Sequence, residues 1–318
     1  MRDYIIGIDI GGTKIATGVF DPDFALLAQH TQPFNQNASA EGIFSCLCNG
    51  VLAALADAPA EGSIAKIGVS IPGIVNAAGT GVFFTPNTPS IWGFALGDRL
   101  RQRFNAKVQL ENDANAAALA EYTLGAGRGF LSMIYSTIST GIGAGIILDG
   151  RLYRGSNRAA GEIGHMILVP GGEPCGCGNN GCVEAYAGGA NFPKQIQARI
   201  DAGEPTLMRE LAKQHGRIDG HVLAEAYHAG DSLAAEFLER ITRLLGTLYY
   251  NIYRILDIQC FVLGGGLTNL GETLLQPIRD TITDLRRSAE EKDIPLYIKK
   301  AHFSSWEIGL YGAALITQ

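Results

Sequence analysis

The sequence predicts an α/β protein of two domains, on three observations. Its 318 residues are about twice a typical domain length of about 150. A strand–glycine turn–strand pattern occurs twice, over Tyr4–Phe20 and again over Leu131–Leu148. Helical spacing fills much of the rest, above all Leu233, Phe237, Ile241, Leu244, Leu248 and Ile252, which form one long apolar face.

In chain order, Tyr4–Asp9 is β-rich, Gly11-Gly12 turns, and Ile15–Phe20 runs back. A third strand near Leu26–His30 completes a meander, and Glu41–Ala56 has helical spacing. Lys66–Ser70 and Val108–Leu110 read as short buried strands, the second feeding an alanine-rich helix from Asp113 to Leu124. The second unit has strand Leu131–Ile138, the turn Ser139-Thr140-Gly141-Ile142-Gly143 and a return over Ala144–Leu148. Cys260–Leu263 is a buried strand that ends in Gly264-Gly265-Gly266, with a helix after it. The domain boundary is expected near residue 112.

Composition removes several function classes. Hydrophobic residues make up 47% and charged residues 18%, which suits a folded core and excludes disorder. The net charge is −6 with no extended basic patch, so no nucleic-acid partner is expected. The two long uncharged stretches, 67–97 and 129–148, are broken by Gly, Ser, Thr, Asn or Pro, so no membrane span is expected. No secretory leader is visible at the start, and the protein is expected to be cytoplasmic. Glycine is the outlier at 41 residues, consistent with many tight turns.

Three of the six cysteines crowd into Cys175-x-Cys177-x4-Cys182, nine residues after His165. One imidazole and three thiolates make a closed tetrahedral set suited to Zn²⁺, with no open position for substrate. Cys46, Cys48 and Cys260 read as core thiols. Carboxylates stand nearby in sequence: Asp113 after Asn112, Glu162 before His165, and Glu184 just past Cys182. Converging carboxylates and amides suit a polyhydroxy ligand, although singly each acid is equally a solvated surface group. Asp113 is also suited to cap the helix start.

The glycine turns are phosphate-cradle candidates. Asp9-Ile10-Gly11-Gly12-Thr13-Lys14 joins free backbone N–H groups, a hydroxyl, a cation and an acid able to hold Mg²⁺ through water. It misses the P-loop pattern, having Thr-Lys where Lys-Ser/Thr is required and a strand where a helix is required. Each turn alone is equally a plain hairpin, but three in one chain favour a nucleotide.

Gly161-Glu-Ile-Gly-His165 with Cys175-Gly-Cys-Gly-Asn-Asn-Gly-Cys182-Val-Glu184 closely resembles the signature of the ROK family of bacterial sugar kinases and repressors. Asp9–Lys14, Pro72-Gly73, Asn112-Asp113-Ala-Asn115, Ser139–Gly143 and Gly264–Gly266 fall in that family's order. The resemblance implies an actin-like (RNase H-like) ATPase fold, with two α/β domains of mixed sheets around a cleft. The small domain would be 1–112 plus about 305–318, and the large one, 113–304, would carry the zinc motif.

The resemblance further implies ATP-dependent phosphorylation of a hexose hydroxyl, the 6-position of glucose being favoured, with Asp113 as general base. N-acetylhexosamines, fructose and mannose are the alternative substrates. Gly73, Asn87, Asn112, Glu162, His165 and Glu184 would hold the sugar. Asp9, Gly11, Gly12, Thr13, Lys14, Thr140 and Gly141 would line the phosphates of ATP with its Mg²⁺, and Gly265 and Gly266 would approach the adenosine. His165, Cys175, Cys177 and Cys182 would hold a structural Zn²⁺. A homodimer is the expected assembly. The family's repressors carry a helix-turn-helix domain before the first phosphate loop. Only eight residues precede Asp9, so a kinase is expected rather than a sugar-sensing regulator.

Overall fold

The computed structural model describes residues 2–59, 62–85 and 88–318. The first half runs β1 (Arg2–Ile10), β2 (Lys14–Phe20), β3 (Leu26–Pro33), α1 (Ala40–Ala56), β4 (Gly62–Ile71), β5 (Ile74–Val75), β6 (Val82–Phe84), α2 (Leu96–Phe104), β7 (Lys107–Asn112) and α3 (Asp113–Thr123). Then come β8 (Met133–Ile138), β9 (Ile142–Leu148), β10 (Arg151–Tyr153), α4 (Val183–Ala187), α5 (Phe192–Asp201), α6 (Met208–His215), α7 (Gly220–His228) and α8 (Ser232–Leu256). The chain ends with β11 (Cys260–Gly264), α9 (Glu272–Leu285), α10 (Ala289–Asp293), β12 (Tyr297–Lys300) and α11 (Glu307–Leu315).

Two five-stranded sheets have the orders β3-β2-β1-β4-β7 and β10-β9-β8-β11-β12. In chain order both follow one scheme, so the faint echo between the two glycine turns reflects a repeated sheet. Both sheets are mixed. β1 pairs antiparallel with β2 and parallel with β4, while β11 pairs parallel with both β8 and β12, and β9 antiparallel with β10.

β1 shows why its sequence is a continuous apolar run. Tyr4, Ile6, Ile8 and Ile10 pack into a core with Ile43, Leu47 and Val51 of α1, whereas Ile5 points the other way, to Leu310 and Ala314 of α11. A strand buried on both faces has no polar alternation to show. α1 starts at Ser39, whose hydroxyl accepts from the Gly42 N–H, as a capping residue should. α8 starts at Asp231, which accepts from Ala234 N–H.

The chain divides into two compact units, one of residues 1–128, 145–161 and 302–318, the other of 129–144 and 162–301. In the second unit the inner face of α8 is set by Leu233, Phe237, Ile241, Leu245 and Leu248, while Leu244 packs partly buried against the cysteine loop. The six cysteines are free; Cys48 and Cys260 are buried, but Cys46 is only half-buried, because its neighbour Cys48 takes the inner face of α1. Among the described residues no helix is long and apolar enough to cross a membrane.

Candidate active site

In the first unit, Asp9 lies near the end of β1, just before the Gly11–Lys14 turn. That turn is closed by the Gly11 N–H donating to Lys14 O at 3.0 Å and continues as strand β2, unlike a P-loop. Gly12, Thr13 and Lys14 are exposed. Asp9 is half-buried and accepts from the Ser70 hydroxyl at 2.9 Å. Burial pushes its carboxyl up to about 6; the Ser70 hydrogen bond opposes this, the Asp113 charge adds to it, and Lys14 opposes it. A Cβ at Gly309 of α11 would stand 2.3 Å from the Asp9 carboxyl carbon, so only glycine leaves room for that acid.

Asp113 is the first residue of α3, and the cap is Asn112. The Asn112 Oδ1 accepts from Ala114 N–H at 2.9 Å and Asn115 N–H at 3.1 Å, and its Nδ2 donates to Gly73 O at 3.1 Å. Gly73 sits at φ +119°, where a Cβ would meet Phe84 O at 2.1 Å, which fixes the loop between β4 and β5 against β6. With its neighbour doing the capping, the Asp113 side chain stays open to solvent. Dense protein around it strips hydration and raises its pKa, against the Ala114 N–H that donates to it. Asn87 lies outside the described residues.

In the second unit, the Ser139–Gly141 turn is held from behind. Gly189 N–H donates to Ser139 O at 2.7 Å and Ala190 N–H to Thr140 O at 2.9 Å. Glu184 Oε2 accepts from Ile142 N–H at 2.8 Å, and a Cβ on Gly141 would lie 2.5 Å from the same oxygen. A cavity of about 360 Å³ is lined by Ser139, Thr140, Asp219, His221, Gly266 and Asn269, among others. It joins two of the residues expected at the nucleotide, Thr140 and Gly266. Gly265 lies beneath, at φ +87°, packed on the end of β8.

His165, Cys175, Cys177 and Cys182 converge, with one ligand atom of each lying within 4.8 Å of the others. Cys177 and Cys182 Sγ are 3.7 Å apart, and Cys175 Sγ lies 3.5 Å from His165 Nδ1. A tetrahedral Zn²⁺ spaces two sulfurs by about 3.8 Å and a sulfur from a nitrogen by about 3.6 Å, so the four atoms fit such an ion. The His165 Nε2 faces the other way, 3.9 Å from Glu162 Oε2. Burial pushes the Cys182 thiol up to about 12, while the Asn179 backbone N–H draws Cys177 down to about 7. Backbone bonds shape the loop: Cys175 N–H to Asn179 O at 2.8 Å, and Val183 N–H to Met166 O at 3.0 Å. Cys182 is the residue before α4, so the same thiol that closes the cluster leads into the helix carrying Glu184.

Sequence reasoning missed Ser70 and Gly309, the two residues that seat Asp9. Neither carries a local signal, since both reach Asp9 across the fold.

The repeated mixed sheets are those of the actin-like ATPase fold. The crystal structure of a ROK family glucokinase from Streptomyces griseus in complex with glucose and AMPPNP matches with a TM-score of 0.78 at 34% identity, covering 98% of each chain. A glucokinase of Streptomyces coelicolor is 34% identical over 278 residues, 86% of this chain and 85% of that protein. An N-acetyl-D-glucosamine kinase of Pectobacterium atrosepticum is 31% identical over 277 residues, 84% of each. The family model of the ROK family matches residues 5–318. The chain belongs to the ROK family.

Proposed function

We propose that this protein transfers the γ-phosphoryl group of ATP to a hexose hydroxyl, with glucose phosphorylated at the 6-position as the favoured reaction. The observation that carries this reading is Asp113: an exposed carboxylate fixed at the first position of a helix that Asn112 caps. Such a carboxylate takes the proton from the sugar hydroxyl as its oxygen attacks the γ-phosphorus in line, and ADP leaves. The glucose and AMPPNP bound by the S. griseus relative support both substrates.

In this reading Gly73, Asn87, Asn112, Glu162, His165 and Glu184 orient the sugar. The backbone N–H groups of Gly12 and Thr13, with Lys14, meet phosphate on a turn that the Gly11 N–H closes, as do Thr140 and Gly141, while Gly265 and Gly266 approach the adenosine. Asp9 would hold Mg²⁺ through water; when bound, that ion neutralises charge on the triphosphate. The zinc is structural, because four protein ligands leave it no open position. His165 then serves twice, with Nδ1 toward the metal and Nε2 toward a hydroxyl.

A second reading, an N-acetylhexosamine kinase, is favoured by the similar identity to the N-acetyl-D-glucosamine kinase. A coupled assay with ATP across glucose, mannose, fructose, N-acetylglucosamine and N-acetylmannosamine decides between them. The proposal expects the highest kcat/KM with glucose. An N-acetylhexosamine as best substrate moves the assignment to the second reading, and turnover of none of the five overturns both.

A further inference from the structure

Glu111, next to last in β7, is almost fully buried, its side chain 2% exposed. Its Oε1 accepts from the Asn112 N–H and from Asn115 Nδ2, each at 3.1 Å. Its Oε2 accepts from Arg154 Nε at 2.5 Å and from Arg158 Nη2 at 3.0 Å. Two guanidinium groups thus converge on one carboxylate, and among the described residues neither arginine pairs with a second acid.

The clamp joins two pieces of chain far apart in sequence. On one side are the last residue of β7 and the first turn of α3, which hold Asn112 and Asp113. On the other is the segment after β10 that runs through Gly161 to Glu162. Arg158 sits there at φ +57°, a conformation that costs a residue with a Cβ, and its Nε is buried without a partner. A strained, partly unsatisfied arginine persists only where its surroundings over-determine it, and here the bond to Glu111 does so. Glu111, Asn112, Asp113, Asn115, Arg154 and Arg158 all lie in the first unit.

We propose that Glu111, with Arg154 and Arg158, is a positioning residue for phosphoryl transfer: it sets the first turn of α3 and through it the direction of the Asp113 carboxylate. This rests on the reading of Asp113 as the base. Glu111 touches no reacting atom in this role and acts through Asn112 and Asn115. Replacing it by glutamine keeps an acceptor for those two residues but turns an amide NH₂ toward two guanidinium donors. The arginines are then left without an anion, and the turn shifts to relieve the clash.

The test measures kcat and both KM values for Glu111→Gln, Arg158→Gln, the double variant and Asp113→Asn. Misplacing a reacting group by about 1 Å costs about 100-fold, so Glu111→Gln is expected to lose about that much kcat while both KM values stay near wild type. The double variant, in which two amides can pair, is expected to recover part of that loss. Wild-type kcat in Glu111→Gln, equal damage to kcat and KM, or no recovery in the double variant overturns the proposal. Should Glu111→Gln fail to fold, Arg158→Gln carries the test: lowered kcat at unchanged KM supports the positioning role, and wild-type kcat overturns it. Full turnover in Asp113→Asn removes the base reading and this role with it. Loss there with none in Glu111→Gln removes the positioning role alone.

Discussion

Glu184 Oε2 accepts a hydrogen bond from the backbone N–H of Ile142 at 2.8 Å. The acid that follows the cysteine loop is therefore bound to the turn that carries Thr140 and Gly141, and it is not wholly free to meet a sugar. A Cβ on Gly164, two residues after Glu162, would lie 2.3 Å from Ile142 O, so the Glu162 turn is pressed on the same residue. Ile142 is the point where the Ser139–Gly141 turn, the Glu162 turn and Glu184 meet in the second unit.

Glu184→Ala is expected to raise the KM for ATP as well as for sugar, because the Ile142 N–H loses its acceptor. Leaving that donor unsatisfied should cost about 1–3 kcal/mol of stability. Glu184→Gln keeps an acceptor and is expected to spare the melting temperature. Thermal melts with both KM values check this; an unchanged ATP KM in Glu184→Ala means that the bond does not shape the turn.

Cys182→Ala removes a buried thiol of the His–Cys cluster, next to α4, and is expected to abolish stoichiometric zinc, lower the melting temperature and raise the sugar KM. Elemental analysis of the wild-type protein should find one zinc per chain. A metal-free wild-type protein with full activity means that the four residues hold no functional ion.

Much of this was legible in the sequence, for physical reasons. The turns after β1 and β8 stand out because strands buried on both faces are apolar runs and the chain must then reverse at glycine. The cysteine cluster is legible because thiolate ligands are close in sequence. The cap of α3 is less so: Asn112 and Asp113 are both good capping residues, and only the structure shows that Asn112 takes the role. The Glu111 partners Arg154 and Arg158 could not be read at all, since pairing over more than forty residues leaves no spacing signal. The β5–β6 hairpin was also missed, because Phe83 is 72% exposed and breaks the alternation that marks a half-buried strand.

Asp9 supplies a pH prediction. Its carboxyl titrates at about 6 in the fold against 3.8 unperturbed, so the folded state binds the extra proton between those values. Without nucleotide, its contribution makes the protein lose stability as pH rises from about 4 to about 6. Asp9→Asn is expected to remove that component and to raise the melting temperature at pH 7, while weakening Mg²⁺-dependent ATP binding. Melts across that window and calorimetry with ATP check both halves; a lower melting temperature at pH 7 contradicts the cost of burying this charge.

The general base is tested most directly by kcat for Asp113→Asn, with sugar and ATP affinities measured on the same sample. Asparagine keeps the shape and the acceptor for Ala114 N–H but does not take the proton. The expected result is a kcat lower by about 10²–10⁴-fold with both affinities retained. A kcat within about tenfold of wild type, on a folded protein that binds both substrates, contradicts Asp113 as the base.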